Sequence, residues 1–188
     1  MRKIRLELVQ LIDFKINNPN EVQLCITNKQ PRKLMMMAAR ACIGFTEQGG
    51  NNKGRFVELV QKTIDGVAKS EPWCMCFVQS MIAYAEYKTG IKSNLYTSES
   101  CMSTWRKTPA LNRVKNIPAP GAIVIWQKEQ SDFGHTGFVF DFRGDEMTTV
   151  EGNTGTDMRD GDGVYERLRT TKPEGKIHIV GYLIPFEK

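Results

Sequence analysis

The sequence predicts an α+β domain: N-terminal helices packed on an antiparallel β-sheet of about five strands. Three observations predict it. Up to about residue 107 the apolar residues recur at helical spacing, and after "PAPG" (118–121) the period shortens to two. The strand-like segments then follow one another with short turn signals between them, "SDFG", "RGD", "DGDG" and "KPEGK". Helices followed by consecutive strands, without βαβ alternation, fit an antiparallel sheet with segregated helices.

The first thirty residues read two ways. Ile4, Leu6 and Leu8 alternate as in a strand, whereas Ile4, Leu8, Leu11 and Ile12 share a helix face. "INNPNE" (16–21) is a turn signal. We treat 1–30 as an N-terminal extension and 31–188 as the main domain. Pro31 suits a first helical turn, and Leu34, Met37, Ala38 and Ala41 continue a helix to about Phe45. The methionines at 35–37 read as core filler in preference to a metal-binding cluster. After the Gly/Asn loop "EQGGNNKGR" (47–55), Phe56, Leu59, Val60 and Ile64 predict a second helix to about Asp65. A third starts near Ser70, a good N-cap, carries the stripe Phe77, Val78, Met81, Ile82 and Ala85, and ends at Gly90. A short helix is expected around Trp105, over 99–107. Strands are expected at 122–126, 135–140, 146–151, 164–169 and 177–184.

A chain of 188 residues buries a substantial core without staples. Five cysteines, an odd number at irregular spacing, do not form a disulfide framework and suit a reducing compartment. The net charge of +5 reflects a solvated Lys/Arg surface that also favours an anionic polymer. No dense basic block with interleaved aromatics is present, so no nucleic-acid partner is expected. "LMMMAARACIGF" is broken by Arg40, so no membrane span is expected. Glu7 and Asp13 interrupt the apolar N-terminus and no small-residue cleavage site follows, which does not fit a signal peptide. The expectation is synthesis in the cytoplasm as a monomer.

"EPWCMCFVQS" (71–80) sets two thiols one residue apart. On a helix, residues two apart point to nearly opposite sides, so Cys74 and Cys76 do not serve one site. An unselected cysteine is a small buried hydrophobe. Cys74, however, falls in the first turn of its helix, where free N–H groups and the macrodipole favour a thiolate. Two histidines with Cys-x-Cys do not complete a zinc site. His178, among apolar strand residues, reads as structural. His135 stands at a strand start beside a glycine turn, where it can face a cleft and serve as base to a cysteine nucleophile. If 135–140 and 146–151 form a hairpin, antiparallel pairing brings Glu151 next to His135 as an orienting acceptor, with Asn153 its competitor. "DMRDGDG" (157–163) carries three aspartates, but not at EF-hand spacing, and reads as a polar turn.

These motifs together resemble the CHAP family of cysteine amidohydrolase/peptidase domains, within the papain-like and NlpC/P60-like group. The matching residues are Pro72-Trp73-Cys74-x-x-Phe77-Val78, Pro120-Gly121 with the strand Ile123–Trp126, Gly134-His135-Thr136-Gly137-Phe138-Val139, Glu151-Gly152-Asn153-Thr154 and Gly163-Val164-Tyr165. Glu47 to Gly54 is similar to the Gly/Asn-rich loop that precedes the cysteine in one bacterial and phage subgroup. The resemblance spans roughly residues 35–185. It implies a papain-like fold and peptidoglycan hydrolysis, as an N-acetylmuramoyl-L-alanine amidase or a crosslink endopeptidase. Cys74 would be the nucleophile, His135 the base and Glu151 the third member, with Asn153 in support. Cys76 stands where a small residue is more usual, and the aspartate-rich calcium loop of some phage lysins is missing. No metal and no cofactor are therefore expected. Trp73 and Trp105 are candidates for lining the substrate groove, with core packing the alternative for each. Bacterial peptidoglycan is the implied partner, reached through a holin, a secretion machine or a virion, as for a phage lysin or an antibacterial effector. The rival expectations are a papain-like peptidase or amidase on a non-wall substrate, and a non-catalytic wall-binding module.

Overall fold

The computed structural model describes residues 2–116, 119–155 and 161–186. Among the described residues, six α-helices precede a six-stranded antiparallel sheet: α1 (Leu6–Lys15), α2 (Pro19–Thr27), α3 (Pro31–Ala41), α4 (Arg55–Asp65), α5 (Cys74–Thr89), α6 (Cys101–Lys107), then β1 (Arg113–Val114), β2 (Ile123–Lys128), β3 (Gly134–Arg143), β4 (Glu146–Thr154), β5 (Gly163–Thr170) and β6 (Ile177–Leu183). The strand order is β1-β6-β2-β3-β4-β5. The sixth strand is β1, a two-residue edge piece paired with Tyr182 and Leu183 and too short to leave a periodic signal.

The ambiguous N-terminus is helical. Leu8, Val9 and Ile12 of α1 are buried, and they join the same core as Leu34, Val60 and Met81. Asn18 caps α2 by accepting from the N–H of Glu21, and Pro19 opens it, so the turn signal at 16–21 marks a helix start. Helix α3 stops at Ala41, shorter than the pattern predicts.

Helix α5 is the centre of the molecule. Every residue from Cys74 to Glu86 is buried, because α3 and α4 cover one side and strands β3 and β4 the other. Gly90 ends it in the left-handed conformation at φ +74°, its N–H donating to the carbonyl of Glu86. The start differs from expectation. Ser70 is not the cap; it lies four residues earlier at φ +54°, and Trp73 is the residue before the first turn. Pro72 biases Glu71 away from helix, which delays the start and makes Cys74 the first helical residue.

Apart from bulges in three of its pairings, the sheet alternates between two apolar faces. Ile123, Ile125, Phe138 and Val150 face the helices, while Ala122, Val124, Trp126, Val139, Met147 and Tyr182 form a smaller apolar cluster. At Gly152 β4 packs tightly on α5: a Cβ there would lie 2.6 Å from Cβ of Phe77. That approach brings the first turn of α5 to the end of the sheet. Among the described residues, no helix is long and apolar enough to cross a membrane.

Candidate active site

The β3–β4 hairpin forms as the sequence predicts. Phe138 pairs with Val150 and Val139 with Thr149, after which a bulge shifts the register toward the turn. Continuing the pairing in the other direction sets Gly137 against Glu151. A Cβ on Gly137 would meet Cγ of Glu151 at 2.5 Å, so the missing side chain is what lets the carboxylate lie across β3 to reach His135. Nε2 of His135 is 2.9 Å from Oε2 of Glu151. Glu151, and not Asn153, is the hydrogen-bond partner of the imidazole. Asn153, at φ +51° beside a register shift in β4–β5, borders the cleft instead.

With Nε2 committed to Glu151, Nδ1 is the nitrogen left for a second partner, and Cys74 lines the same cleft as the imidazole and interacts with it electrostatically. Burial would lower the His135 pKa, but bonding to Cys74 and to the Glu151 carboxylate overrides it and raises it to about 10. The Cys74 thiol is pulled well below its ordinary value. The contact with Cys101 contributes most, burial opposes it, and His135 and the N–H of Met75 in the first turn of α5 add to it. The two shifts run in the direction that favours a thiolate beside an imidazolium.

Glu151 is fully buried, a costly place for a carboxylate. Four hydrogen bonds from three residues satisfy it. Besides His135, the Thr149 hydroxyl donates to Oε1, and Arg169 grips both oxygens, with Nε 2.8 Å from Oε1 and Nη2 2.6 Å from Oε2. Burial would raise its pKa; Arg169 and His135 reverse that and hold it well below the carboxylate range. Arg169 was not singled out from the sequence. It lies on β5, within reach of Glu151 only because Glu151 pairs with Tyr165 there. Its guanidinium also lies 5.8 Å from the Trp126 ring, which stacks on His135 with centroids 5.6 Å apart. Arg169 and Trp126 thus form a layered support for the imidazole.

Of the two alternatives for Trp73 and Trp105, groove lining or core packing, the structure has both in the core. Trp73 is fully buried, edge-on to Phe56 and Phe77, and its indole N–H donates to Oε1 of Glu47 at 2.9 Å. Oε2 of Glu47 accepts the N–H of Asn52, so the Gly/Asn-rich loop clamps the residue next to Cys74. Trp105 is buried under Gly181 and the guanidinium of Arg113. The aromatic groups that do border the cleft are Trp126 and Phe133, the latter 77% exposed at the rim. Cys76 is buried away from the cleft, its thiol pushed up by burial. His178 is a half-buried residue of β6 opposite Gln127.

Cys74, His135 and Asn153 open on a cleft of about 280 Å³, with Pro72, Gln127, Lys128 and Ile177 on its walls. A larger hollow of about 550 Å³ lies at the start of α3, between Arg32, Pro120 and Phe186. It holds no nucleophile and no histidine, so chemistry and not volume marks the site. Among the described residues no cluster of three or more His, Cys, Asp or Glu is placed to hold a metal ion. Residues 157–160 of the "DMRDGDG" turn lie outside the described residues.

A family model, the CHAP domain, matches residues 66–153. The match contains Cys74, His135, Glu151 and Asn153, whereas Arg169 falls beyond it. No curated protein matches the chain.

Proposed function

We propose that this protein hydrolyses an amide bond in the peptide part of bacterial peptidoglycan, because residues 66–153 match the CHAP-domain model, a module of amidases and peptidases. The observation that carries the proposal is the meeting of Cys74 and His135 on one cleft, with the imidazole hydrogen-bonded to a buried, ionised Glu151 behind it.

The thiolate of Cys74 attacks the amide carbonyl, and the carbonyl oxygen becomes an oxyanion. The first N–H groups of α5 have no partner within the helix, and that of Cys74 itself is suited to receive this charge. His135 gives its proton to the leaving amine as the tetrahedral intermediate collapses to a thioester. The imidazole, now neutral, takes a proton from water, whose oxygen attacks the thioester and releases Cys74. Glu151 holds the ring in orientation throughout and offsets its positive charge; Asn153 supports from the cleft wall. The rim presents Lys128 and the exposed ring of Phe133 to the peptide, a combination suited to stems that carry both carboxylates and apolar methyl groups.

The test is turbidity loss and amine release from purified peptidoglycan, with wild type beside Cys74→Ser and Cys76→Ser. The expected outcome is an inert Cys74→Ser and an active Cys76→Ser, with mass spectrometry of the fragments naming the bond as muramoyl-alanine or crosslink. A folded, reduced wild type that releases nothing from the wall but cleaves a soluble peptide would move the activity to a non-wall substrate. Inactivity on both, with Cys74 inert to iodoacetamide, would leave a binding module.

A further inference from the structure

The catalytic line leaves one nucleophilic group unused. Sγ of Cys101, the first residue of α6, lies 3.8 Å from Sγ of Cys74. The other thiols have different surroundings. Cys25 and Cys42 face the sulfurs of Met37 and Met81, and Cys76 lies on another side of α5, buried.

We propose that Cys74 and Cys101 are an oxidative modification site: a hydroperoxide oxidises Cys74, and Cys101 then closes on it as a reversible disulfide that silences the nucleophile and shelters it. This rests on Cys74 being the reactive thiolate of the proposed function.

Distance, access and charge carry the inference. A disulfide needs the sulfurs at about 2.05 Å, so they have to close by about 1.8 Å, within reach of side-chain rotation. Cys74 borders the cleft and Cys101 does not, so an oxidant entering from solvent meets Cys74 first. The two thiols are also unequal. Cys74 is held as thiolate, partly by the S–H of Cys101, while Cys101 is pushed up by that same bond and by burial and keeps its proton. The outer sulfur is therefore the one poised to attack a peroxide, and the inner one the one left to resolve the product.

The chemistry balances. The Cys74 thiolate attacks the distal oxygen of the hydroperoxide, the O–O bond breaks, and the alkoxide leaves as an alcohol with the proton of His135. Cys74 is now a sulfenic acid. The sulfur of Cys101 attacks the sulfenic sulfur, the S–O bond breaks, and the hydroxyl leaves with the Cys101 proton as water. Two electrons from the two thiols have reduced one peroxide. A disulfide returns to thiols with dithiothreitol, whereas the sulfinic acid formed without a resolving thiol does not.

The experiment treats the full, reduced chain with hydrogen peroxide at neutral pH. It then maps non-reduced peptides by mass spectrometry and measures alkylation of Cys74 and wall hydrolysis before oxidation, after it, and after dithiothreitol. Wild type is expected to lose two hydrogens, to yield a peptide pair joined through Cys74 and Cys101, and to recover alkylation with reductant. Cys101→Ser and Cys101→Ala, two variants so that one misfolded protein does not decide the matter, are expected to trap dimedone at Cys74. After dithiothreitol they should recover roughly tenfold less reactive Cys74 than wild type. A wild type active on the wall whose Cys74 goes to sulfinic acid without a link, or links to Cys76, overturns the disulfide alone. A linked pair in a protein that never hydrolysed wall or peptide overturns the proposed function and leaves the disulfide standing. A Cys74 inert to both peroxide and alkylator overturns both.

Discussion

The two ends of the β3–β4 hairpin are built from the same kinds of charged group and behave differently. At the cleft end Glu151 is wholly out of water, its oxygens divided among His135, Arg169 and Thr149. At the turn end Asp141 meets Arg143 at 3.3 Å and Asp145 meets Lys172 at 2.7 Å, with every side chain more than half exposed. The exposed pairs keep most of their hydration, and each side chain is free to trade its partner for water. Glu151 has no water to turn to. Its partners decide where its oxygens point and whether it is charged, and through it they decide the same for the imidazole. Burial, which makes an ion pair poor value for stability, is what makes this one useful for orientation.

The largest effect is expected where the buried end is broken at its hub. Glu151→Ala strips His135 of its acceptor and takes from the partly buried Arg169 guanidinium the carboxylate that it grips. We expect a loss of about 3–5 kcal/mol in urea unfolding and a fall of about 10³–10⁴ in kcat/KM on the wall substrate. The pH profile separates orientation from mere unfolding. In wild type the thiolate–imidazolium pair persists between the lowered Cys74 pKa and the His135 value of about 10, so activity should fall on the alkaline side near pH 10. Glu151 raises the His135 pKa, so its removal moves that alkaline limb down toward neutrality. A limb that stays in place would mean the carboxylate does not hold the imidazole.

Arg169→Met comes next. It removes the main group that lowers the Glu151 pKa, and burial then pushes the carboxyl up. The sign follows: a carboxylate with a depressed pKa contributes stability above its unfolded value, lost as pH falls through the folded one. Raising the folded value brings that loss, and the acid limb of activity, to higher pH. We expect about 3–5 kcal/mol lost at neutral pH and activity down by about 10–100-fold, as for other groups that orient a ligand or base from behind. Gly137→Ala is expected to do less, costing about 1–3 kcal/mol, because the added Cβ meets the movable Glu151 side chain and pushes the carboxylate aside without deleting it.

Arg169 also marks where legibility in the sequence ended. Cys74, His135 and Glu151 could be named because each rests on a local or pairwise rule: a first helical turn, a strand start, and one hairpin register. Arg169 requires a second register, β4 on β5, in which it stands opposite Met147 and reaches back along the strand to Glu151, a reach across four residues that no period marks. The tryptophans failed for a related reason. Trp73 precedes α5 by one residue, and only the later start of that helix, set by Pro72, turns the ring into the core and toward Glu47. Strand residues fared better, since a period of two fixes which side chains share a face. The N-terminal helices stayed ambiguous because Ile4, Leu6 and Leu8 satisfy one period and Ile4, Leu8, Leu11 and Ile12 the other over too few residues.

The smallest expected effect tests the other half of the comparison. Asp145→Asn removes a charge that pairs with Lys172 in water, and leaves Lys172 free to hydrate at once. Nothing else of the ion pair is buried, so the change in stability should be within about 0.5 kcal/mol. Kinetics on the wall substrate should be unchanged, because the turn lies at the far end of the hairpin from His135. What Asp145 does hold is backbone: its carbonyl accepts the N–H of Thr171 at 2.7 Å, and the substitution leaves that bond in place. A loss of several kcal/mol, or a shifted pH profile, would mean that the turn end sets the hairpin register and with it the reach of Glu151 to His135. The two ends would then be one device, and the contrast between exposed and buried pairs would fail at its simpler end.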